Sequence, residues 1–251
     1  MTELKSKAQI EAMRKAGAIL AACHKEIRKR IRPGVTTGEI DQFAERFMLE
    51  HGATPEQKGF HGYEYATCAS VNDVICHGFP GAQVLRDGDI VTIDMVVNKD
   101  GWLADSAWSY AVGNVSPQAR KLLDVTRKSM YLGIQQAVVG NRLGDIGHAI
   151  QSYAEQHGYG VVRDFTGHGI GRSMHEEPQV LHYGVAGKGV RLKAGMVITV
   201  EPMITSGGYA AYIEDDGWTA KTVDGSLCAQ YEHTIAITEA GPIILTDQGD
   251  C

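Results

Sequence analysis

The sequence predicts a mixed α/β (α+β) fold made of two similar units, each with two helices followed by strands. Four segments show helical spacing of apolar residues, and they occur as two pairs separated by strand-like runs. A glycine pattern also occurs twice: residues 34–40 match residues 140–146 at an offset of 106, and the same offset places His51-Gly52 on His157-Gly158. A few shared glycines can arise by chance. The flanking helices favour a duplicated unit, and hence one domain over 1–251 with halves of about 1–113 and 114–251.

The first helix is expected to begin at the capping-box pattern Ser6-Lys7-Ala8-Gln9 and to run until Pro33-Gly34. The second helix is expected to begin near Thr36 and to end at Gly52. Strand-like stretches follow at about 65–71, 74–77, 90–98 and 102–112.

The second unit begins at Ser116-Pro117, a cap residue followed by proline at the first helical position. This helix is expected to continue to about Val139, and another helix covers roughly 143–157. The apolar run at 196–200 and the alternating stretch at 232–237 predict later strands.

Composition excludes several classes of function. Hydrophobic content of 43% and charged content of 22% are ordinary for a globular protein, and the net charge of −6 gives no basic footprint for nucleic acid. No apolar run reaches the ~18 residues of a membrane span, and the amino terminus lacks the apolar centre of a secretory signal. The five cysteines form no CxxC pair and indicate reduced thiols, so we expect a cytoplasmic protein.

Four acidic residues and one histidine lie in strand-like or glycine-rich contexts where burial is expected. A buried carboxylate is costly unless a positive charge compensates it, and no Lys or Arg recurs at matching positions of these strands. Divalent cations are the natural counter-charge, and four carboxylates balance two of them. The sequence therefore predicts a dinuclear metal site, whose candidate ligands are Asp94, Asp105, His168, Glu201 and Glu232.

The relation between Asp94 and Asp105 depends on the turn that joins their strands. A two-residue turn at Lys99-Asp100 would place the two aspartates directly opposite each other, whereas a turn at Asp100-Gly101 would make them diagonal neighbours on one face. A three-residue loop would place them on opposite faces. Solvated or turn-capping aspartates are the alternative to a metal role.

One imidazole among oxygen ligands suits Mn(II), Fe(II), Co(II) or Zn(II) better than a structural, cysteine-rich zinc site. His77 and His175 suit hydrogen bonding to a substrate or proton transfer, although either could be an ordinary loop histidine.

With these residues identified, the chain resembles the type I methionine aminopeptidases over nearly its full length. The most specific match is the segment from Phe165 to His175, which reads FTGHGIGRSMH and continues through Val180-Leu181-His182-Tyr183. The resemblance implies the pita-bread fold, with two pseudo-symmetric halves around a central antiparallel sheet. It also implies that Asp105 and Glu232 bridge two cations, that Asp94 binds one of them, and that His168 with Glu201 completes the other.

The implied activity is hydrolysis of the first peptide bond, which removes the amino-terminal methionine from nascent proteins and peptides. The nucleophile would be a hydroxide bridging the cations, with Glu201 as proton carrier, His175 stabilising the oxyanion and His77 contacting the scissile amide.

By the same resemblance, the substrate pocket is formed by Phe60, Tyr63, Cys68, His77, Met174, His175 and Trp218. The chain departs from many relatives at three positions: Gln57 where cysteine is common, Phe60 for a tyrosine, and Met174 for a phenylalanine. These changes predict a pocket that admits side chains somewhat different from methionine.

Two alternatives remain: a proline-selective aminopeptidase or prolidase-like hydrolase of the same superfamily, and a metal-free peptide-binding module of the same fold. The expected partners are a peptide or nascent-chain amino terminus as substrate and, transiently, the ribosome. We expect a monomer that binds neither a specific nucleic acid nor a membrane.

Overall fold

The computed structural model describes residues 2–249 of the chain. Its four long helices are α1 (Lys7–Arg28), α2 (Thr37–Glu50), α3 (Pro117–Gln135) and α4 (Leu143–Gln156). The predicted capping box at Ser6 is confirmed, because the Ser6 hydroxyl accepts from the Gln9 amide and the Gln9 side chain accepts from the Ser6 amide. Within residues 2–249, no helix is long and apolar enough to cross a membrane.

Helices α1 and α3 end earlier than predicted. The first stops at Arg28, because Pro33 has no N–H to donate to the Lys29 carbonyl and its ring would clash with that carbonyl in a continued helix. The chain turns there instead, and the amides of Arg30 and Ile31 donate hydrogen bonds to the Ile27 carbonyl. Helix α3 stops at Gln135, where the Asn141 side chain donates to the Gln136 carbonyl and satisfies a free acceptor.

Within the described residues, fifteen strands accompany these helices, and several are only two or three residues long. Their bounds are β1 (Thr54–Pro55), β2 (Cys68–Val71), β3 (Val74–Cys76), β4 (Ile90–Lys99), β5 (Trp102–Ala111), β6 (Gly160–Val161), β7 (Gly167–Gly169), β8 (Glu176–Val180), β9 (Val197–Val200), β10 (Met203–Thr205), β11 (Ala211–Ile213), β12 (Ala220–Thr222), β13 (Cys228–Gln230), β14 (His233–Thr238) and β15 (Gly241–Ile244).

All strand pairings are antiparallel, and the two main ladders lie side by side. The first has the order β1-β4-β2 with β5 also paired to β4, and the second has the order β15-β14-β9-β7-β8. Strand β5 joins the second ladder, because the Glu232 amide donates to the Ala107 carbonyl and the Thr234 hydroxyl exchanges hydrogen bonds with the Asp105 backbone. The central antiparallel sheet is thus formed by both parts of the chain.

The repeated glycine pattern corresponds to repeated structure. Helices α2 and α4 have 14 residues each and are offset by 106 positions at both ends. Gly34 and Gly140 both adopt positive φ, +93° and +97°, and each amide donates to a leucine carbonyl, that of Leu85 or Leu192. Their repetition supports the duplicated helix–helix–strand arrangement.

The apolar faces of all four helices pack into one core beside the strands. Each helix contributes at least one fully buried apolar side chain to this core, namely Leu20, Met48, Leu122 and Ile150. The helices therefore cover one side of the sheet, and this leaves polar side chains of β4, β5 and β7 to face a cavity on its other side.

Candidate metal centre and substrate pocket

The β4–β5 hairpin brings Asp94 and Asp105 together. Its turn residues Asp100 and Gly101 both have positive φ, and Lys99 pairs with Trp102. In this register Asp94 lies opposite Ala107 and Asp105 lies opposite Val96, so the aspartates are diagonal neighbours on one face. The predicted turn at Asp100-Gly101 is therefore confirmed. The alternative turn at Lys99-Asp100, which would place the two aspartates directly opposite each other, is wrong.

The other three candidates come from the second ladder. His168 is the middle residue of β7, Glu201 directly follows β9, and Glu232 directly precedes β14. Strands β7 and β14 both pair with β9, which brings these distant residues beside the hairpin.

The five side chains meet in space. The His168 Nε2 atom lies 3.5 Å from Asp105 Oδ2 and 3.6 Å from Glu201 Oε1, and the ligand atoms of Asp105, His168 and Glu232 all lie within 4.8 Å of one another. Asp94 lines the same cavity as these four residues, and the β4–β5 register places it diagonally across from Asp105. Exposure is only 5% for Asp105, 9% for His168, 7% for Glu201 and 2% for Glu232.

Ionisation of all four carboxylates would give the cluster an excess of negative charge. Burial, followed by repulsion from Asp105, holds the pKa values of Asp94 and Glu232 well above their usual range. Burial raises the pKa of Glu201 to about 7, although His168 opposes the shift. Burial alone would lower the pKa of His168, but Asp105 and Glu201 raise it to about 9. No lysine or arginine lines the cavity among the described residues.

The residues present fit divalent cations. Three buried carboxylate oxygens have no hydrogen-bond partner in the described chain, namely Asp94 Oδ1, Asp105 Oδ1 and Glu232 Oε1. A buried acceptor without a partner is destabilising, and cation coordination would satisfy all three. The set of four carboxylates and one imidazole matches the ligands that first-row divalent ions accept.

The orientation of His168 is also suited to metal binding. Its Nδ1 atom lies 2.9 Å from the Gly169 carbonyl oxygen, which can only accept a hydrogen bond. Nδ1 therefore carries the hydrogen, and in the neutral ring the Nε2 lone pair faces Asp105 and Glu201. A backbone carbonyl that fixes the tautomer in this way is the usual support for a histidine ligand.

Supporting residues that the sequence analysis did not identify surround Glu201. Thr199 donates to Glu201 Oε1 at 2.7 Å, Gln230 donates to Oε2 at 3.5 Å, and the Glu201 amide donates to His182 at 3.1 Å. The sequence offered a signal for Thr199 only. Residues two apart on a strand share a face, and Thr199 precedes Glu201 by two positions. The contacts of His182 and Gln230 depend on distant chain pairing.

An aromatic-walled cavity of about 570 Å³ opens beside the five side chains. All the substrate-pocket residues expected from the sequence line it, namely Phe60, Tyr63, Cys68, His77, Met174, His175 and Trp218. The Tyr63 and Trp218 rings are 5.0 Å apart between centroids, and Met174 is 8% exposed. Phe165, Met203 and Gln179 also line the cavity and were not predicted.

The two candidate catalytic histidines face the cavity from different elements. The His175 ring centroid lies 4.5 Å from that of His168, and His77 packs edge-on to Phe165 at 5.6 Å. Burial lowers the pKa of both His77 and His175, and the charge of His168 lowers that of His175 further. Both rings are therefore neutral near pH 7 and can donate one hydrogen bond each.

Gln57 forms a rigid part of the pocket wall. The residue is 7% exposed, its Oε1 accepts from the Val96 amide at 3.1 Å, and its Nε2 donates to Cys68 Sγ at 3.3 Å. The side chain is thus held at both ends of its amide group.

The four described cysteines, of which Cys68 is one, are all free and buried, whereas Cys251 lies outside the described residues.

Comparison with known proteins gives consistent matches. The model of metallopeptidase family M24 matches residues 11–239. Methionine aminopeptidase 1 of Bacillus subtilis is 50% identical, over 96% of this chain and 98% of its own length. The crystal structure of methionine aminopeptidase from Rickettsia prowazekii superposes with a TM-score of 0.97 at 44% identity, covering 98% of this chain and all of that one. That from Thermotoga maritima gives the same TM-score and coverage at 42% identity.

Proposed function

Because the chain belongs to metallopeptidase family M24, we propose that it is a metal-dependent aminopeptidase that removes the amino-terminal methionine from peptides and nascent proteins. The observation that carries this proposal is the convergence of four carboxylates and His168 at the base of an aromatic-walled cavity. The full-length similarity to methionine aminopeptidases favours methionine removal over the proline-selective alternative.

The proposed cofactors are two divalent cations drawn from Mn(II), Fe(II), Co(II) and Zn(II). Asp105 and Glu232 would be shared between them, Asp94 would complete one site, and His168 with Glu201 would complete the other. Bound divalent cations would polarise the scissile carbonyl and lower the pKa of the attacking water. Three partnerless carboxylate oxygens support this assignment.

The chain's own residues would handle protons and orient the substrate. Glu201, whose pKa burial raises to about 7, is suited to accept a proton from water and to pass it to the leaving amine. His175 can donate a hydrogen bond to the developing oxyanion, since its neutral ring lies beside His168. His77, on the same cavity wall as Trp218, can contact the scissile amide.

The cavity beside these residues would receive the methionine side chain. Aromatic rings make favourable contacts with a thioether, and Tyr63, Trp218 and Phe60 supply them. Met174 is unbranched and flexible, so its part of the wall can adapt to side chains that differ somewhat from methionine. We therefore expect preference for methionine with tolerance of similar unbranched side chains.

The cellular setting is proposed from the sequence. Buried free thiols at Cys23, Cys68, Cys76 and Cys228 are compatible with the cytoplasm. We expect a monomer that acts on emerging chains, with transient ribosome contact and without specific nucleic-acid or membrane binding.

Mass spectrometry of the peptide Met-Ala-Ser after incubation with Mn(II)-loaded protein tests the proposal. Methionine should be released, and Glu201→Gln should abolish release, whereas the exposed Glu239→Gln should leave it unchanged. Preferential cleavage of Ala-Pro over Met-Ala-Ser would favour the proline-selective alternative. Absence of both metal binding and cleavage would favour the peptide-binding module.

A further inference from the structure

We propose that Thr199 is a positioning residue that fixes His168 and Glu201 relative to each other, so that the two can hold one cation. This inference rests on the proposed function, since it assumes that His168 and Glu201 are ligands of the same ion. It concerns how this chain orients these ligands before any cation binds.

A single hydroxyl group connects the two proposed ligands. Thr199 lies on β9 and is fully buried. Its Oγ1 accepts a hydrogen bond from the His168 backbone amide at 2.9 Å and donates one to Glu201 Oε1 at 2.7 Å. The His168 backbone and the Glu201 carboxylate are thereby tied to the same atom.

The direction of these hydrogen bonds is fixed by chemistry. A backbone amide can only donate, so the Thr199 hydroxyl hydrogen remains available for Glu201. Glu201 Oε1 must then be an acceptor, as it is in an ionised carboxylate. The same oxygen lies 3.6 Å from His168 Nε2, so the bond holds it on the side of the imidazole where a shared cation would sit.

A glycine makes this close approach possible. A Cβ atom added to Gly167 would lie 2.7 Å from the Thr199 carbonyl oxygen and 3.1 Å from its Oγ1. Any side chain at position 167 would therefore push β7 away from Thr199. The bare Cα lets the His168 amide reach the hydroxyl.

The other half of the chain offers a matched control. Thr92 precedes Asp94 by two residues, as Thr199 precedes Glu201, and the two pairs are offset by 107 positions. Thr92 is 3% exposed, and its hydroxyl bonds Ser109 Oγ at 2.7 Å and no proposed ligand. Thr92→Val therefore removes an equally buried strand hydroxyl without freeing a carboxylate.

The experiment measures Mn(II) affinity of metal-stripped protein by titration calorimetry, with electron paramagnetic resonance of the bound ion. Thr199→Val should weaken binding at one ion by roughly 10–100-fold, the usual effect of losing a group that orients a ligand. Thr199→Ser, which keeps the hydroxyl, should restore affinity and the wild-type resonance spectrum. Thr92→Val should change neither.

Wild-type affinity in Thr199→Val, or an equal loss in Thr92→Val, would overturn the inference while leaving the proposed function intact. No Mn(II) binding by the wild-type protein would overturn both. If Thr199→Val does not fold, Thr199→Ala removes the same hydroxyl without adding a methyl group, and the same comparison with Thr199→Ser applies.

Discussion

Asp105 interacts electrostatically with the other members of the cluster. Its carboxylate lies 3.5 Å from the imidazole of His168, and its charge helps to raise the pKa values of Asp94 and Glu232 by repulsion. Without a cation, this concentration of buried negative charge opposes folding, because each carboxylate must be either protonated or left uncompensated.

The substitution Asp105→Asn should therefore separate stability from function. Removing one charge should raise the melting temperature of the metal-free protein by about 2–4 °C, as expected for roughly 1 kcal/mol in a chain of this size. The same variant should lose the stabilisation that Mn(II) gives the wild type. Thermal unfolding with chelator and with Mn(II) measures both effects. An unchanged Mn(II) shift in the variant would show that Asp105 does not bind the ion.

Gln57 offers a second test at this scale. Gln57→Ala leaves the Val96 amide without its acceptor, which should cost about 1–3 kcal/mol of stability, and it enlarges the pocket. Selectivity for methionine over larger amino-terminal residues should fall roughly 10-fold, as measured by kcat/KM on paired peptides. Gln57→Met retains volume without the hydrogen bonds, so it should lose stability and keep selectivity. Equal selectivity in all three proteins would show that Gln57 does not determine which side chain the pocket accepts.

Individual residues also show how far the sequence could lead. The five candidate ligands were identifiable because buried carboxylates without basic partners require an explanation. The Asp100-Gly101 turn is the stronger signal of the two that were open, since both of its residues accept positive φ. Thr199 could have been suspected, but its bond to the His168 amide depends on the pairing of β7 with β9.

At the scale of elements, glycines determine how closely helices can pack. Gly17 of α1 lies against the chain after β15, where an added Cβ would be 2.1 Å from the Leu245 carbonyl oxygen. Gly133 of α3 faces Ile150 of α4, and its added Cβ would meet the side-chain end Cδ1 at 2.6 Å. Backbone cannot move aside locally, whereas an isoleucine side chain can rotate.

Gly17→Ala should consequently destabilise the protein by roughly 1–3 kcal/mol, despite the gain in helix propensity of about 1 kcal/mol. Gly133→Ala should cost clearly less, because Ile150 can adopt another rotamer. Urea unfolding of the two variants gives the comparison. A larger loss for Gly133→Ala would mean that α1 moves more freely than its backbone contact implies.

The order of elements was largely predictable, and their ends were less so. Capping residues at Ser6, Thr36 and Ser116 mark helix starts by local chemistry alone, and all three starts are confirmed. Beyond the early end of α3, the Asn141 side chain reaches back and donates to the Gln136 carbonyl. Such a contact depends on the path of the following loop and has no local signal.

At the scale of the whole molecule, buried neutral histidines predict sensitivity to acid. His24 is fully buried between the Tyr110 hydroxyl and the Ser106 carbonyl, and burial lowers its pKa to about 3. The unfolded chain, with a histidine pKa near 6.5, binds the proton more tightly. The contribution of His24 to stability is therefore complete above about pH 6.5 and is lost as the pH falls toward 3.

For each such histidine, the free energy of unfolding should fall by about 1.4 kcal/mol for every pH unit below 6.5. Chemical unfolding of the wild type and His24→Gln in chelator, at several values between pH 7 and 5, isolates one contribution. The variant should be less stable at pH 7, and the difference should shrink as the pH falls. Parallel curves would show that His24 becomes protonated without unfolding.

The five candidate ligands lie at the seam, the boundary where strand β5 meets strand β14, and they come from both sides of it. Asp94 and Asp105 belong to the first repeat, and His168, Glu201 and Glu232 belong to the second. The described backbone links across the seam include the bond from Glu232 to Ala107. A cation bound by side chains of both repeats would link the two repeats. Chelation of that cation should therefore weaken the contact between the repeats before it affects the helices of either one.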